Sequence, residues 1–286
     1  MSTTTPDTKT PETMTADAMS GSAGGTRTAV AHPAPTGTLA TDTLTVFSRE
    51  LRPVLRDPFS VIFSMIQPLV FLGLFAPLLP GLPGAAGGSA LQWFVPGIVV
   101  MSCLFGTAFT GSNLLFEMQT GSHERMLVTP LRRPALLVGR ALKEIVPMLV
   151  QTAVIVAVVT PFGFDLHVLG VVVGLLMLTV LCVGLGSLSY TLALAAKNQE
   201  WLFWAVQQTL LFPLLLLAGI LLPIQDGPGW LRTMSLANPL TYVVDAERAL
   251  FDGRFEAATL VPGLLAAAAV AVLGLLVGMR AMRRSN

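Results

Sequence analysis

The residues able to attack, ligate or carry charge are few here and kept apart. Asp, Glu, Lys and Arg make up 12% of 286 residues, against 53% hydrophobic. Lys9, Lys143 and Lys197 all lack the preceding glycines of a Gly-x-x-x-x-Gly-Lys-Ser/Thr loop, so the chain has no cradle of that kind for nucleotide phosphates. His32, His123 and His167 lie outside the apolar runs. Gly186-Ser187 and Ser189 could suggest a nucleophile, but no apolar segment supplies a base. Small residues such as Gly184, Gly186, Ser187 and Ser189 at close spacing more often let helices approach closely. Cys103 and Cys182 sit in apolar stretches without metal-type spacing and read as small buried hydrophobes. The expectation is no catalytic residue, no metal set and no cofactor bound by this chain. A net charge of +1 gives no overall attraction to nucleic acid.

Soluble domains carry about 25% charged residues, so the dominant solvent here is lipid. Crossing a bilayer core takes roughly 20 helical residues. Apolar runs of that order lie near 59–79, 94–116, 145–160, 168–195, 201–223 and 257–279. The third is short unless it extends back to Ala135, drawing Arg140, Lys143 and Glu144 into its end, where they could snorkel to the interface. Residues 1–40 are rich in Thr, Ala, Gly, Ser and Pro and read as a disordered cytoplasmic tail. Over 41–56, Leu44, Phe47, Leu51 and Leu55 recur at helical spacing, with Thr41 or Asp42 as the expected cap. This predicts an amphipathic helix lying on the membrane before the first span.

Lys and Arg placement sets orientation. Arg49, Arg52 and Arg56 precede the first span, Arg125 to Lys143 separate the second and third, and Arg280, Arg283 and Arg284 follow the last. The connections 80–93 and 161–167 carry neither residue, and the one after the fifth span carries only Arg232, Arg248 and Arg254. Both termini are therefore expected in the cytoplasm, with an even number of crossings, six. Outside, 224–256 reads as one or two short interfacial or re-entrant helices broken at Asn238-Pro239.

No span core holds Asp, Glu, His, Lys or Arg, which argues against a proton-coupled carrier, although a sodium site built from carbonyls stays open. The sequence offers neither a selectivity filter nor a charged ring for a channel. Gln67, beside Pro68 in the first span, and Gln207 and Gln208 in the fifth are amides in hydrocarbon. Each must face a partner helix or a cavity. With Phe71 and Phe75 they form a candidate substrate path; hydrogen bonding across a dimer interface is the alternative. Asp245, Glu247 and Arg248 form an outer charge cluster, either a gate closed by ion pairs or the solvated face of an interfacial helix.

The run Glu124, Arg125, Met126, Leu127, Val128, Thr129, Pro130, Leu131, Arg132, Arg133, followed by Leu137-Val138-Gly139-Arg140, resembles the cytoplasmic loop of ABC-2 type permeases. It is most similar to the drug-export branch typified by daunorubicin-resistance permeases. Asn238-Pro239-Leu240-Thr241-Tyr242, with Asp245 and Arg248, resembles the segment before that family's last span, and Ala218-Gly219-Ile220 with Leu222-Pro223 its fifth-span ending. The likeness covers 41–284. It implies an all-α membrane protein of the type V exporter kind, with a connecting helix at 41–56, six spans and short outer helices. It also implies a dimer of permease chains, a homodimer or a pair with a related permease, in the plasma membrane, working with two copies of an ABC-type ATPase that binds ATP and Mg. In that reading Glu124 to Pro130 form the helix that couples to the ATPase; a plain topogenic loop is the alternative. The implied activity is export of an apolar or amphipathic compound (drug, antibiotic or lipid-like) by alternating access. A lipid or polysaccharide-precursor exporter would share the fold, and a carrier independent of any ATPase stands as the rival of another class.

Overall fold

A computed structural model of the chain describes residues 38–56, 58–75, 77–78, 90–121, 133–197, 199–224 and 227–284. The expected coupling residues, Glu124 to Pro130, and nearly all of the expected tail lie outside these residues. Among the described residues ten α-helices follow in order: α1 Leu39–Arg56, α2 Pro58–Phe75, α3 Ala90–Gln119, α4 Arg133–Lys143, α5 Ile145–Val159, α6 Val168–Ala195, α7 Glu200–Leu217, α8 Gly229–Leu236, α9 Pro239–Phe251 and α10 Ala257–Arg284. No strand occurs among the described residues. In lipid the backbone must satisfy itself, which helices do within one segment.

The architecture is the all-α membrane fold expected from composition. Among the described residues five helical stretches are long and apolar enough to cross a bilayer: α3, α4 with α5, α6, α7 and α10. A sixth apolar helix is α2, whose Met65–Phe75 stretch is shorter. The third crossing runs as one nearly unbroken rod, because Glu144 alone separates α4 from α5 and itself keeps helical angles (φ −68°, ψ −15°).

At the centre stands α3. Phe94, Val95, Ile98, Val99, Val100 and Met101 are all fully buried, as expected of a helix apolar all round and enclosed by neighbours. Small residues set how closely the neighbours come. A Cβ on Gly184 of α6 would stand 2.6 Å from the Ala271 amide of α10, and Gly274 of α10 faces Gly184 in return. The α6–α10 crossing is therefore backbone against backbone, the contact that small residues permit in lipid. Between α3 and α6, the Ser189 hydroxyl accepts from the Gly111 N–H at 3.1 Å and donates to the Ala108 carbonyl at 3.0 Å. Cys103 and Cys182 meet across this same pair, with Sγ atoms 2.8 Å apart and both buried.

Two local expectations are corrected. The first helix begins at Leu39, not at Thr41 or Asp42, because the Thr38 hydroxyl accepts the Thr41 N–H at 3.3 Å and caps it. Val46 packs on α4 at Gly139, while Leu44 and Leu55 point away from the protein, the apolar face a membrane surface would take. The second correction concerns Arg140, Lys143 and Glu144, which do not snorkel: all three are buried. They are held by partners from other helices, described next.

Candidate functional site

Charge gathers where α1, α3 and α4 converge. Glu50 on the inner face of α1, Glu117 in the last turns of α3, and Arg140, Lys143 and Glu144 at the α4–α5 junction form one network. The Arg140 guanidinium donates to the Glu117 carboxylate, and its Nε lies 3.6 Å from Glu50. Lys143 Nζ lies 3.7 Å from Glu50 and 3.9 Å from Glu144, whose Oε1 also accepts from the Thr110 hydroxyl at 3.1 Å. Arg140 further covers the Tyr190 ring of α6, 5.6 Å from its centroid. Buried ions survive when mutually paired and hydrogen-bonded, and losing one partner costs several kcal/mol. The network thus ties the surface helix to three other elements at fixed register.

A cavity of about 770 Å³ opens beside it, within the range of small-molecule sites. Glu50, Glu117, Lys143 and Glu144 line its charged end. Phe63, Pro68, Phe105, Phe109 and Met148 form an apolar body, interrupted by the amides of Gln67, Asn113 and Gln151. Such a chamber can receive an amphipathic molecule, rings against the phenylalanines and polar groups toward the network.

The sequence-derived path residues separate here. Gln67 lines the cavity. Phe71 and Phe75 stack on each other at 5.7 Å, and Phe75 on Phe94 at 6.0 Å, so they join the core beside α3 instead of the lining. Gln207 and Gln208 stand on α7 away from it; the Gln207 Oε1 is buried without a hydrogen-bond partner, and Gln208 is exposed. Sequence reasoning passed over Gln151, which carried the same signal as Gln67: an amide inside an apolar run. Glu50 and Glu117 gave no such signal, since each reads as a loop or surface charge until tertiary contacts are known.

At the other end of the bundle α9 is clamped. A helix ending in lipid leaves carbonyls unpaired, and α7 ends at Leu217, before Gly219 turns the chain with φ +67°. The Asn238 amide donates to the Leu214 carbonyl at 2.7 Å, while its Oδ1 caps α9 by accepting the Leu240 N–H at 3.1 Å. The Thr241 hydroxyl lies 3.1 Å from the Leu217 carbonyl, and the Tyr242 hydroxyl donates to Leu236 at 2.9 Å. Arg248 completes the clamp. It donates to the Trp93 carbonyl at 3.1 Å and the Gly219 carbonyl at 2.8 Å, with its guanidinium 3.9 Å from the Trp93 ring centroid. Burial lowers its pKa to about 10, opposed by Asp245, whose carboxylate lies 3.7 Å away. Asp245 and Arg248 are therefore brought together. Glu247 is not: it is fully buried on another face of α9.

Residues 41–251 match the ABC-2 type transporter family. The chain is 29% identical over 218 residues, 76% of its length and 77% of the relative's, to the daunorubicin resistance ABC transporter permease protein DrrB1 of Streptomyces coeruleorubidus. It is 26% identical over 215 residues, 74% and 77% of the two chains, to the probable doxorubicin resistance ABC transporter permease protein DrrC of Mycobacterium tuberculosis. To the probable multidrug ABC transporter permease YbhR of Escherichia coli it is 23% identical over 169 residues, 56% and 44% of the two chains.

Proposed function

Because the chain belongs to the ABC-2 type transporter family, we propose that it is the membrane subunit of an ATP-driven exporter that moves amphipathic compounds out of the cell by alternating access. It is a multi-pass membrane permease of that family. A separate ABC-type ATPase, in two copies and holding ATP and Mg, supplies the energy to a pair of permease chains, most simply a homodimer, in the plasma membrane. The cavity between α2, α3, α5 and α6 carries the reading: aromatic along its body and charged at one end, it suits a cargo with both characters.

Alternating access requires the cargo to bind one state better than the other. Three of the helices that contribute to the cavity lining, α1, α3 and α4, are joined by the Glu50–Arg140–Glu117 network. Residues Glu124 to Pro130 lie in the segment between α3 and α4, both of which contribute to that network. An ATPase pressing on this segment would act on two network helices at once, with Leu127 and Val128 as apolar contacts. The names of the relatives favour drug or antibiotic cargo.

The test is co-expression with the candidate ATPase, co-purification, and transport in proteoliposomes with and without ATP, comparing wild type with Glu124→Ala and Leu127→Asp. Co-elution, ATP-dependent transport, and loss of both in Leu127→Asp support the proposal. Transport by the chain alone overturns it in favour of an independent carrier. ATP-dependent movement of lipid or polysaccharide precursors, but of no drug, replaces the cargo and leaves the permease role standing.

A further inference from the structure

Glu247 belongs neither to the charged network nor to the α9 clamp. Glu247 is 0% exposed, and neither carboxyl oxygen has a hydrogen-bond or ion-pair partner. It presses on α6 at Gly174, where a Cβ would collide with the carboxyl group. The same helix, α9, seats its Leu250 backbone on Gly170 and its Tyr242 and Ala246 on Gly263 of α10. Three glycines thus make a seam into which α9 fits, and the seam's floor carries a lone carboxyl.

Among the described residues the surroundings supply no counter-charge. Up to its thiol at Cys182, α6 has no ionisable residue. On α10 there is none before Arg280, and on α3 only Cys103 precedes Glu117. The single acid of α7, Glu200, lies in its first turn at the opposite end, and α8 offers only the exposed Arg232. On α9 itself Tyr242 donates to Leu236, while Asp245 and Arg248 are paired on another face. His167, just before α6, sits 3.1 Å from the Phe251 carbonyl, and Asp252, Arg254 and Glu256 pair among themselves beyond the helix. An unpaired carboxylate is strongly disfavoured in such a site. A metal cation would need several oxygen ligands, and this pocket offers one carboxyl. The ligand that fits is a proton.

We propose that Glu247 is a proton-binding site that governs the seating of α9: the helix lies in its glycine seam while the carboxyl carries a proton, and loss of that proton lifts α9 from α6 and α10. Burial raises the Glu247 pKa to about 8, so the transition falls in the mildly alkaline range. Lifting α9 would draw Arg248 off Trp93 and Gly219, and the Phe251 carbonyl off Gln92, which donates to it at 2.7 Å. Loss of the proton at one carboxyl would then loosen the start of α3 and the end of α7 together. The inference is independent of what the permease carries.

Hydrogen–deuterium exchange of the full-length chain in lipid nanodiscs tests it, at about two pH units below and above 8, corrected for intrinsic exchange rates. Wild type should show several-fold faster exchange across α9 at the higher pH. Glu247→Gln and the apolar, similarly long Glu247→Met should stay protected at both. Infrared difference spectra of wild type should show a protonated-carboxyl band that disappears over the same pH interval. A wild type whose α9 protection does not change with pH overturns the proposal, as does a Glu247→Gln variant that responds like wild type. Should neither variant fold, loss of the carboxyl band in step with α9 exchange supports the proposal, and a band that titrates elsewhere overturns it.

Discussion

Arg140 shows how much one side chain can hold. It reaches Glu50 of α1 and Glu117 of α3 and lies over Tyr190 of α6, so its removal strands the Glu117 carboxylate and leaves Glu50 to Lys143 alone in a largely buried place. Arg140→Leu should destabilise the protein by about 3–5 kcal/mol, read as a lower unfolding midpoint in detergent. Adding Glu50→Gln and Glu117→Gln should recover much of the loss, because no charge is then left unpaired. A single variant as stable as wild type would mean that water reaches the network freely. Glu247 gives the opposite sign of dependence on charge. Its pKa is raised in the fold, so between the ordinary carboxyl value of 4.5 and about 8 the unfolded chain releases a proton that the native state keeps. Stability should therefore be full below that window, fall as pH rises through it, and level off above. The stability difference between wild type and Glu247→Gln should follow this curve in chemical-denaturation midpoints; a flat difference would contradict it. In the sequence Glu247 reads as part of one cluster with Asp245 and Arg248, because neighbours in sequence look like neighbours in space. Helical spacing separates them: 245 and 248 share a face and 247 does not.

At the scale of elements, the apolar helices were legible because run length against bilayer thickness is a one-dimensional signal. So was the close-packing role of Gly184, since small residues on a lipid-immersed helix have few other uses. The prediction it supports is specific. Gly184→Leu should force α6 and α10 apart and cost about 1–3 kcal/mol or more, with lowered yield of monodisperse protein on size exclusion. Gly73→Leu on α2, where a Cβ would meet nothing within 4 Å, should be neutral in the same assay. What the sequence hid was tertiary. Glu50, Glu117 and Arg140 are scattered over three helices, and nothing local marks them as one network. Arg140, Lys143 and Glu144 followed a known pattern for snorkelling, which failed because a carboxylate-bearing helix, α1, lies across them. The motifs behind the family likeness gain physical reasons as well. Leu137 is core, Gly139 admits Val46, and where α7 ends Thr241 donates to the Leu217 carbonyl while Asn238 adds a second hydrogen bond to the Leu214 carbonyl.

For the whole molecule, the structure divides labour along the bundle: a charged network and cavity at the α1 end, a clamped helix with a buried acid at the α9 end. If the cavity receives cargo and the segment between α3 and α4 receives the ATPase, the two roles must separate by mutation. Phe105→Ala and Gln151→Leu alter the lining without changing a residue of that segment or a charged member of the ionic network. They should raise the KM for transport of an amphipathic drug several-fold while ATPase co-purification and basal ATP hydrolysis stay at wild-type levels. Leu127→Asp should do the reverse, leaving equilibrium binding of a fluorescent cargo intact in detergent while abolishing ATP-driven flux. The cross-comparison matters because a merely destabilised permease would lose both properties together. If Phe105→Ala and Gln151→Leu leave KM unchanged while cargo binding follows substitutions at Gln207 or Gln208, the route lies along α7. The cavity beside α3 would then be a space that opens and closes with the helices without being occupied by what they move.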